Sequence, residues 1–141
     1  MNRLEIINRV KKNTFDENSN TFKNDTIIDY INEGIDRITQ VIVELNGMKY
    51  LTTDAMIPIY LPSNYHYLLS LYSTSRCFGM DERHYQATLN MNEFEVKLEE
   101  LKMKIDSGDV IIVDEYGDEI VIDNKIDYVV DNYFIKHNGV V

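Results

Sequence analysis

The stretch LPSNYHYLLSLYSTSRCFGMDERHYQATLNMNEFEVKLEELKMKIDSG, residues 61–108, decides how the rest of the chain is read. It opens on Leu61-Pro62-Ser63-Asn64, where the proline keeps Leu61 out of the α region and Ser63 or Asn64 can cap a helix. That helix is predicted to run to Phe78. Gly79 offers the left-handed backbone that ends it, and Asp81, followed by Glu82, offers the cap of a second helix. In that helix Ala87, Met91, Phe94, Leu98, Leu101 and Ile105 recur at steps of four and three, which sets them on one stripe. Ser107-Gly108 stops it, so the unit reads as an αα-hairpin.

Upstream, residues 2–12 place Leu4, Ile6, Ile7 and Val10 on one side of a short amphipathic helix. Residues 13–24 are rich in Asn, Asp, Ser and Thr and read as a polar loop, which Phe15 and Phe22 are expected to pin to the body. Asp25 is the expected cap of the clearest helix, in which Ile28, Ile31, Ile35, Ile38, Ile42 and Leu45 repeat until Asn46-Gly47. Gly34 interrupts it at a cost of about 1 kcal/mol relative to alanine. Either another helix crosses closely there or the glycine is simply tolerated. Residues 48–60, with Tyr50, Thr52, Thr53, Ile57 and Ile59 and with Pro58 among them, suit an extended crossover.

Downstream, residues 109–113 and 119–123 are apolar runs separated by five residues that include Gly117, the pattern of strand, turn and strand. A hairpin alone is marginal in water, so Val110, Ile112, Ile120 and Ile122 need a surface to pack on, in this chain or in a neighbouring subunit. Tyr128, Val129, Val130, Tyr133, Phe134 and Ile135 crowd the last segment, which either folds back on the body or adds a strand to another protein. The expected fold is mainly α: a bundle of about four helices over residues 1–108. A small β-hairpin and an extended C-terminal arm over 109–141 belong to the same single domain.

Composition narrows the function. A chain of 141 residues suits one domain. Its 24 acids against 14 bases leave a formal charge of -10, which repels phosphate and disfavours sequence-reading DNA binding. Such a surface serves solubility, suits a basic partner, or lines a channel through which nucleic acid slides. No apolar run nears the roughly 20 residues needed to span a bilayer, so no membrane partner is expected, and the N-terminus lacks a signal-peptide core. One cysteine, Cys77, cannot close an internal disulfide and reads as a packed thiol.

Enzyme chemistry finds little support. The acids Asp106, Asp109, Asp114, Glu115, Asp118, Glu119, Asp123, Asp127 and Asp131 lack the spacing of a calcium loop and read as a solvated acidic surface. His66, His84 and His137 are dispersed, so neither a metal nor another cofactor is expected. Ser70, Ser73 and Ser75 lack a Gly-x-Ser-x-Gly setting. Arg76, on an otherwise apolar helix one turn after Tyr72, needs a carboxylate partner if buried, and an ion pair in the chain or across a subunit boundary is expected in preference to a free surface arginine. Glu93 with Lys97 and Glu100 with Lys104 are i,i+4 pairs.

The order of parts resembles the head-tail adaptor, or head-completion, proteins of tailed bacteriophages. Two runs carry the likeness: Tyr30-Ile31-Asn32-Glu33-Gly34-Ile35-Asp36-Arg37-Ile38, and Leu61-Pro62 leading into Leu68-Leu69-Ser70-Leu71-Tyr72-Ser73-Thr74-Ser75-Arg76. The resemblance covers residues 1–106. It implies a structural virion protein in the neck between head and tail, assembled in the host cytoplasm. Such a protein forms a ring, a dodecamer by resemblance, that binds the portal protein and a downstream neck or tail protein. Genomic DNA would pass through without sequence-specific binding. Residues 127–141 would be the portal-docking arm, and the 109–123 hairpin would face a neighbour or the next ring. Other readings are an acidic regulatory protein that imitates DNA, or another neck ring such as a stopper or tail terminator.

Overall fold

The computed structural model describes residues 1–16, 21–48, 50–51, 61–114 and 116–120. Among them four α-helices follow in order: α1, Arg3–Asn13; α2, Asn24–Val41; α3, Tyr67–Met80; and α4, His84–Asp106. One-turn 3-10 helices, Val43–Leu45 and Ser63–Tyr65, follow α2 and precede α3. The described chain is mainly helical and contains no strand.

α3 is the element on which α1, α2 and α4 all pack. It meets that demand with small side chains: Ser70, Ser73, Thr74 and Ser75 are buried beside Leu68, Leu69 and Cys77. Small residues let three neighbours approach, and the hydroxyls find partners at hand. Ser70 and Ser73 donate to the Tyr67 and Leu69 carbonyls at 2.7 Å, and Ser75 donates across to the Ala87 carbonyl of α4 at 2.6 Å. Around this axis lie Ile6, Ile7 and Val10 of α1, Ile27, Ile31, Ile35 and Ile38 of α2, and Phe94, Leu98 and Leu101 of α4. Met91 and Ile105, from the same α4 stripe, pack at the margin.

Element boundaries differ from the sequence reading where periodicity outlasts the helix. α2 ends at Val41, and Ile42 is extended before a 3-10 turn. Ile42 and Leu45 are buried all the same, because an apolar repeat reports which residues face the core and not whether the helix is continuous. The β-branched run Val41-Ile42-Val43 favours the break. Asp25 lies in the first turn instead of capping, and Lys23 stands at the cap without a side-chain bond. Ser63 and Asn64 begin a 3-10 turn, so α3 starts only at Tyr67. Ile27 rather than Ile28 opens the buried stripe of α2, and Leu4 is exposed where Ile6 is buried.

The corner between α3 and α4 is also built otherwise than expected. α3 continues through Gly79 to Met80, and it is Glu82, with φ 58°, that takes the left-handed position. Arg83 N donates to Phe78 O at 2.8 Å and Glu82 N to Gly79 O at 3.2 Å, the paired bonds of a Schellman turn. Asp81 does not cap α4; it pairs with Arg83 at 3.2 Å. At the far end Gly108, with φ 85°, closes α4 as its sequence suggests.

After α4 the chain turns back on itself. Ile120 N donates to Ile112 O at 2.8 Å, and Val113 and Glu119 form an isolated antiparallel bridge. Asp114 holds the bend, its Oδ1 accepting from Tyr116 N and Asp118 N at 2.9 and 3.0 Å. The expected two-stranded hairpin is therefore a tight turn with one bridge among the described residues. Residues 52–60 of the crossover, 121–123 of the hairpin and the C-terminal arm lie outside the described residues.

Candidate interaction surfaces

α4 has two apolar faces. Phe94, Leu98 and Leu101 fill the core, while Tyr85, Leu89, Val96 and Met103 are half to three-quarters exposed. At 100° per residue these four fall within about 40° of one line, on the side opposite the core stripe. Leu89, Val96 and Met103 recur every seven residues, the spacing of a helix seam that meets another helix or surface. A solvated face of a single helix has no need of such a row. Its flanks are acidic: Glu93 and Glu100 on one side, Glu95, Glu99 and Asp106 on the other.

Toward the C-terminal end of α4 this stripe widens into an open, mostly apolar hollow lined by Val96, Met103, Glu99, Glu100, Lys104 and Asp109. Its wall is fixed by neighbours. Tyr65 donates to Glu100 Oε2 at 3.0 Å, Lys104 lies 3.9 Å from the same carboxylate and 6.0 Å from the Tyr65 ring centre, and Lys97 lies 3.7 Å from Glu100 Oε1. The Tyr65 bond, with the two ammonium groups behind it, holds the Glu100 carboxyl below its usual range. Lys97 thus reaches Glu100, not Glu93.

At the opposite end of the bundle α1 closes with a Schellman turn, Asp16 N donating to Lys11 O at 2.8 Å and Phe15 N to Lys12 O at 3.2 Å. The left-handed position, normally glycine, is occupied by Phe15 with φ 58°. Its side chain is 85% exposed, so it does not pin the loop as expected. Asp16 does: its buried carboxylate accepts from Thr21 N at 2.8 Å and Phe22 N at 2.9 Å, and Phe22 is buried beneath.

Arg76 finds the carboxylate its position called for. Its Nε lies 3.0 Å from Glu33 Oε1, its guanidinium stacks 5.0 Å from the Tyr30 ring centre, and Tyr72 donates to the same Glu33 oxygen at 3.3 Å. Burial, and then the Glu33 charge, raise the Tyr72 pKa. The cluster ties α2 to α3 within one chain, and a second ion pair, the bidentate Arg37 with Glu95, ties α2 to α4.

The other expected contact residues are placed less openly. Ile112 is 2% exposed in the core, and Val110 and Ile120 pack against it. These three side chains meet this chain's own helices, and the same stretch leaves Ile111 and Tyr116 exposed instead. Ile122 and the arm residues Tyr128, Val129, Val130, Tyr133, Phe134 and Ile135 lie outside the described residues. Among the described residues no group of three or more His, Cys, Asp or Glu is placed to hold a metal ion, and no helix is long and apolar enough to cross a membrane.

The outer stripe of α4 was within reach of sequence reading, since Leu89, Val96 and Met103 repeat at heptad spacing; the fuller core stripe masked it. Nothing in the sequence marks Phe15 as left-handed. No family model matches the chain, and neither curated proteins nor solved structures yield a match.

Proposed function

We propose that this chain is a structural subunit that assembles into a ring, the head-tail adaptor of a tailed bacteriophage. The ring binds the portal protein and continues the DNA channel toward the tail. The observation that carries the assembly reading is the second apolar face of α4, Tyr85, Leu89, Val96 and Met103, set opposite the face that already fills the core. A helix with two such faces is built to be covered on both sides.

The neck assignment draws on the sequence resemblance across residues 1–106, and the helical order and the charge of -10 are compatible with it. An acidic ring lumen lets DNA slide, because phosphate contacts would act as brakes. Residues 127–141 are the arm that docks on the portal, and the protein acts by positioning, with no catalytic step.

The test is mass determination by light scattering on the purified chain, alone and mixed with the portal protein of the same phage, with and without residues 127–141. A ring-sized complex with the portal that disappears with the arm supports the reading. A monomer indifferent to the portal and to the deletion overturns it.

A further inference from the structure

Asn46-Gly47, expected from the sequence to stop α2, has no such duty: α2 ends at Val41, and the pair falls in the turn that follows the first 3-10 helix. Met48 N donates to Leu45 O at 2.9 Å, and Asn46 has φ -65° and ψ -14°. Those angles belong to the first central position of a type I turn, which sets Gly47 at the second. Such a turn accepts most residues, so its backbone requires neither the asparagine nor the glycine.

The pair matters for its chemistry. The amide carbon Cγ of an asparagine can be attacked by the main-chain nitrogen of the next residue, closing a five-membered imide. The attack needs an accessible amide, a nitrogen uncrowded by a side chain, and an N–H that no acceptor holds. Asn46 meets all three: it is exposed, its side chain has no hydrogen bond among the described residues, and residue 47 is an exposed glycine whose N–H donates to none of them.

Other asparagines are guarded. Asn13 and Asn64 precede residues that carry a Cβ and whose N–H groups are engaged, Thr14 N with Val10 O at 3.0 Å and Tyr65 N with Pro62 O at 2.9 Å. Asn8, Asn32, Asn90 and Asn92 stand inside helices, where the following N–H belongs to the helix ladder. At Asn46 the turn slows the reaction without preventing it. Imide closure needs ψ to swing well away from -14°, which breaks the Leu45–Met48 bond. That bond spans an exposed corner, and glycine follows the swing at little steric cost.

We propose that Asn46 is a site of spontaneous covalent ageing, where the chain loses ammonia and gains a carboxylate. Gly47 N bonds to Asn46 Cγ, the Cγ–Nδ2 bond breaks, and ammonia departs with the proton that Gly47 N gives up. Water then opens the imide. Addition at Cγ breaks the new bond and leaves aspartate. Addition at the main-chain carbonyl carbon breaks the original peptide bond and routes the chain through Cγ as isoaspartate. Either product adds one negative charge to the formal -10. Isoaspartate also lengthens the backbone by one carbon between Leu45 and Met48, two buried residues that the turn holds in register.

The test incubates the folded full-length chain and its Asn46→Gln variant for weeks in warm neutral buffer, beside the unaltered chain unfolded in guanidinium chloride. Tryptic peptides are then mapped by mass spectrometry. The peptide 38–49 contains Asn46 and no other asparagine, and the second Asn-Gly pair, Asn138-Gly139, falls on a different peptide. In the folded chain this peptide is expected to gain one dalton and to split into aspartate and isoaspartate forms, several-fold more slowly than in the unfolded sample. Glutamine must close a six-membered ring, so the variant's peptide should stay unchanged over the same period; its exposed position leaves the fold intact, which circular dichroism checks. A peptide that stays unchanged in the folded chain while the unfolded sample converts, or that converts in neither, overturns the proposal.

Discussion

Gly34 of α2 lies against Tyr72 of α3 so closely that a Cβ built on the glycine would sit 3.3 Å from the tyrosine Cβ, Cγ and Cδ1. The contact is to the root of the tyrosine side chain, which no rotamer change moves away. Tyr72 is held further by an edge-on contact with Phe94, ring centres 5.2 Å apart, and by its bond to Glu33. Glycine therefore suits a close crossing of α2 and α3, where a Cβ would press on Tyr72.

Gly34→Ala sets two effects against each other. Alanine improves helix propensity by about 1 kcal/mol, while overpacking a fixed crossing costs about 1–3 kcal/mol. The crossing wins here, and the expected result is a net loss of roughly 1 kcal/mol, with Gly34→Val losing more. Urea unfolding followed by circular dichroism measures this. A higher midpoint for the alanine variant would show that the helices separate freely.

Glu82 should respond in the opposite direction. It takes the left-handed position of the α3–α4 corner with its side chain exposed to solvent. Glu82→Gly relieves the strain and is expected to stabilise the chain by about 0.5–1 kcal/mol, an amount net of the added unfolded-state entropy. A lower thermal midpoint for this variant would mean that the glutamate contributes more than its backbone geometry suggests.

The sequence was informative where burial sets the pattern. Ile31, Ile35, Ile38, Phe94, Leu98 and Leu101 are core residues because their spacing already placed them on one face. Arg76 stood out as the arginine of an apolar helix, although its side chain is nearly half exposed and nothing local pointed to Glu33, 43 positions away. Helix ends were less readable. Gly79 looked like the stop, yet the turn closes three residues later at Glu82, because a Schellman turn is fixed by the bonds to Phe78 and Gly79 and not by the nearest glycine. Phe15 and Phe22 looked alike in sequence and have opposite fates, since Phe15 stands in the exposed turn that ends α1 while Asp16 holds the amide of the buried Phe22.

Cys77 is expected to be inert in the folded chain. Burial pushes its thiol up to about 12, the Asp16 carboxylate adds to the rise, and Arg76 opposes it only in part. Since the thiolate is the nucleophile, a chromogenic disulfide reagent at neutral pH should react only through opening of the core, and rapidly once urea unfolds the chain. A native reaction rate close to the unfolded one would show that α3 is far less tightly covered.

His66 makes stability depend on pH. Its Nε2 lies 2.9 Å from the Leu61 carbonyl oxygen, which can only accept, and its Nδ1 lies 2.9 Å from the Met1 amino group. The ring therefore donates through Nε2 and accepts at Nδ1, as a neutral imidazole does. Burial lowers its pKa below the ordinary 6.5; the Leu61 bond works against that, and the Met1 charge works with it. The unfolded chain then takes up a proton near 6.5 while the folded chain does not, so stability is full above that value. It falls as the pH drops below it, until the folded ring also titrates. Urea midpoints compared between about pH 7.5 and about pH 5.5 should decline for the unaltered chain and much less for His66→Gln, in a window above the usual carboxylate range. Equal declines in the two would remove His66 as the cause.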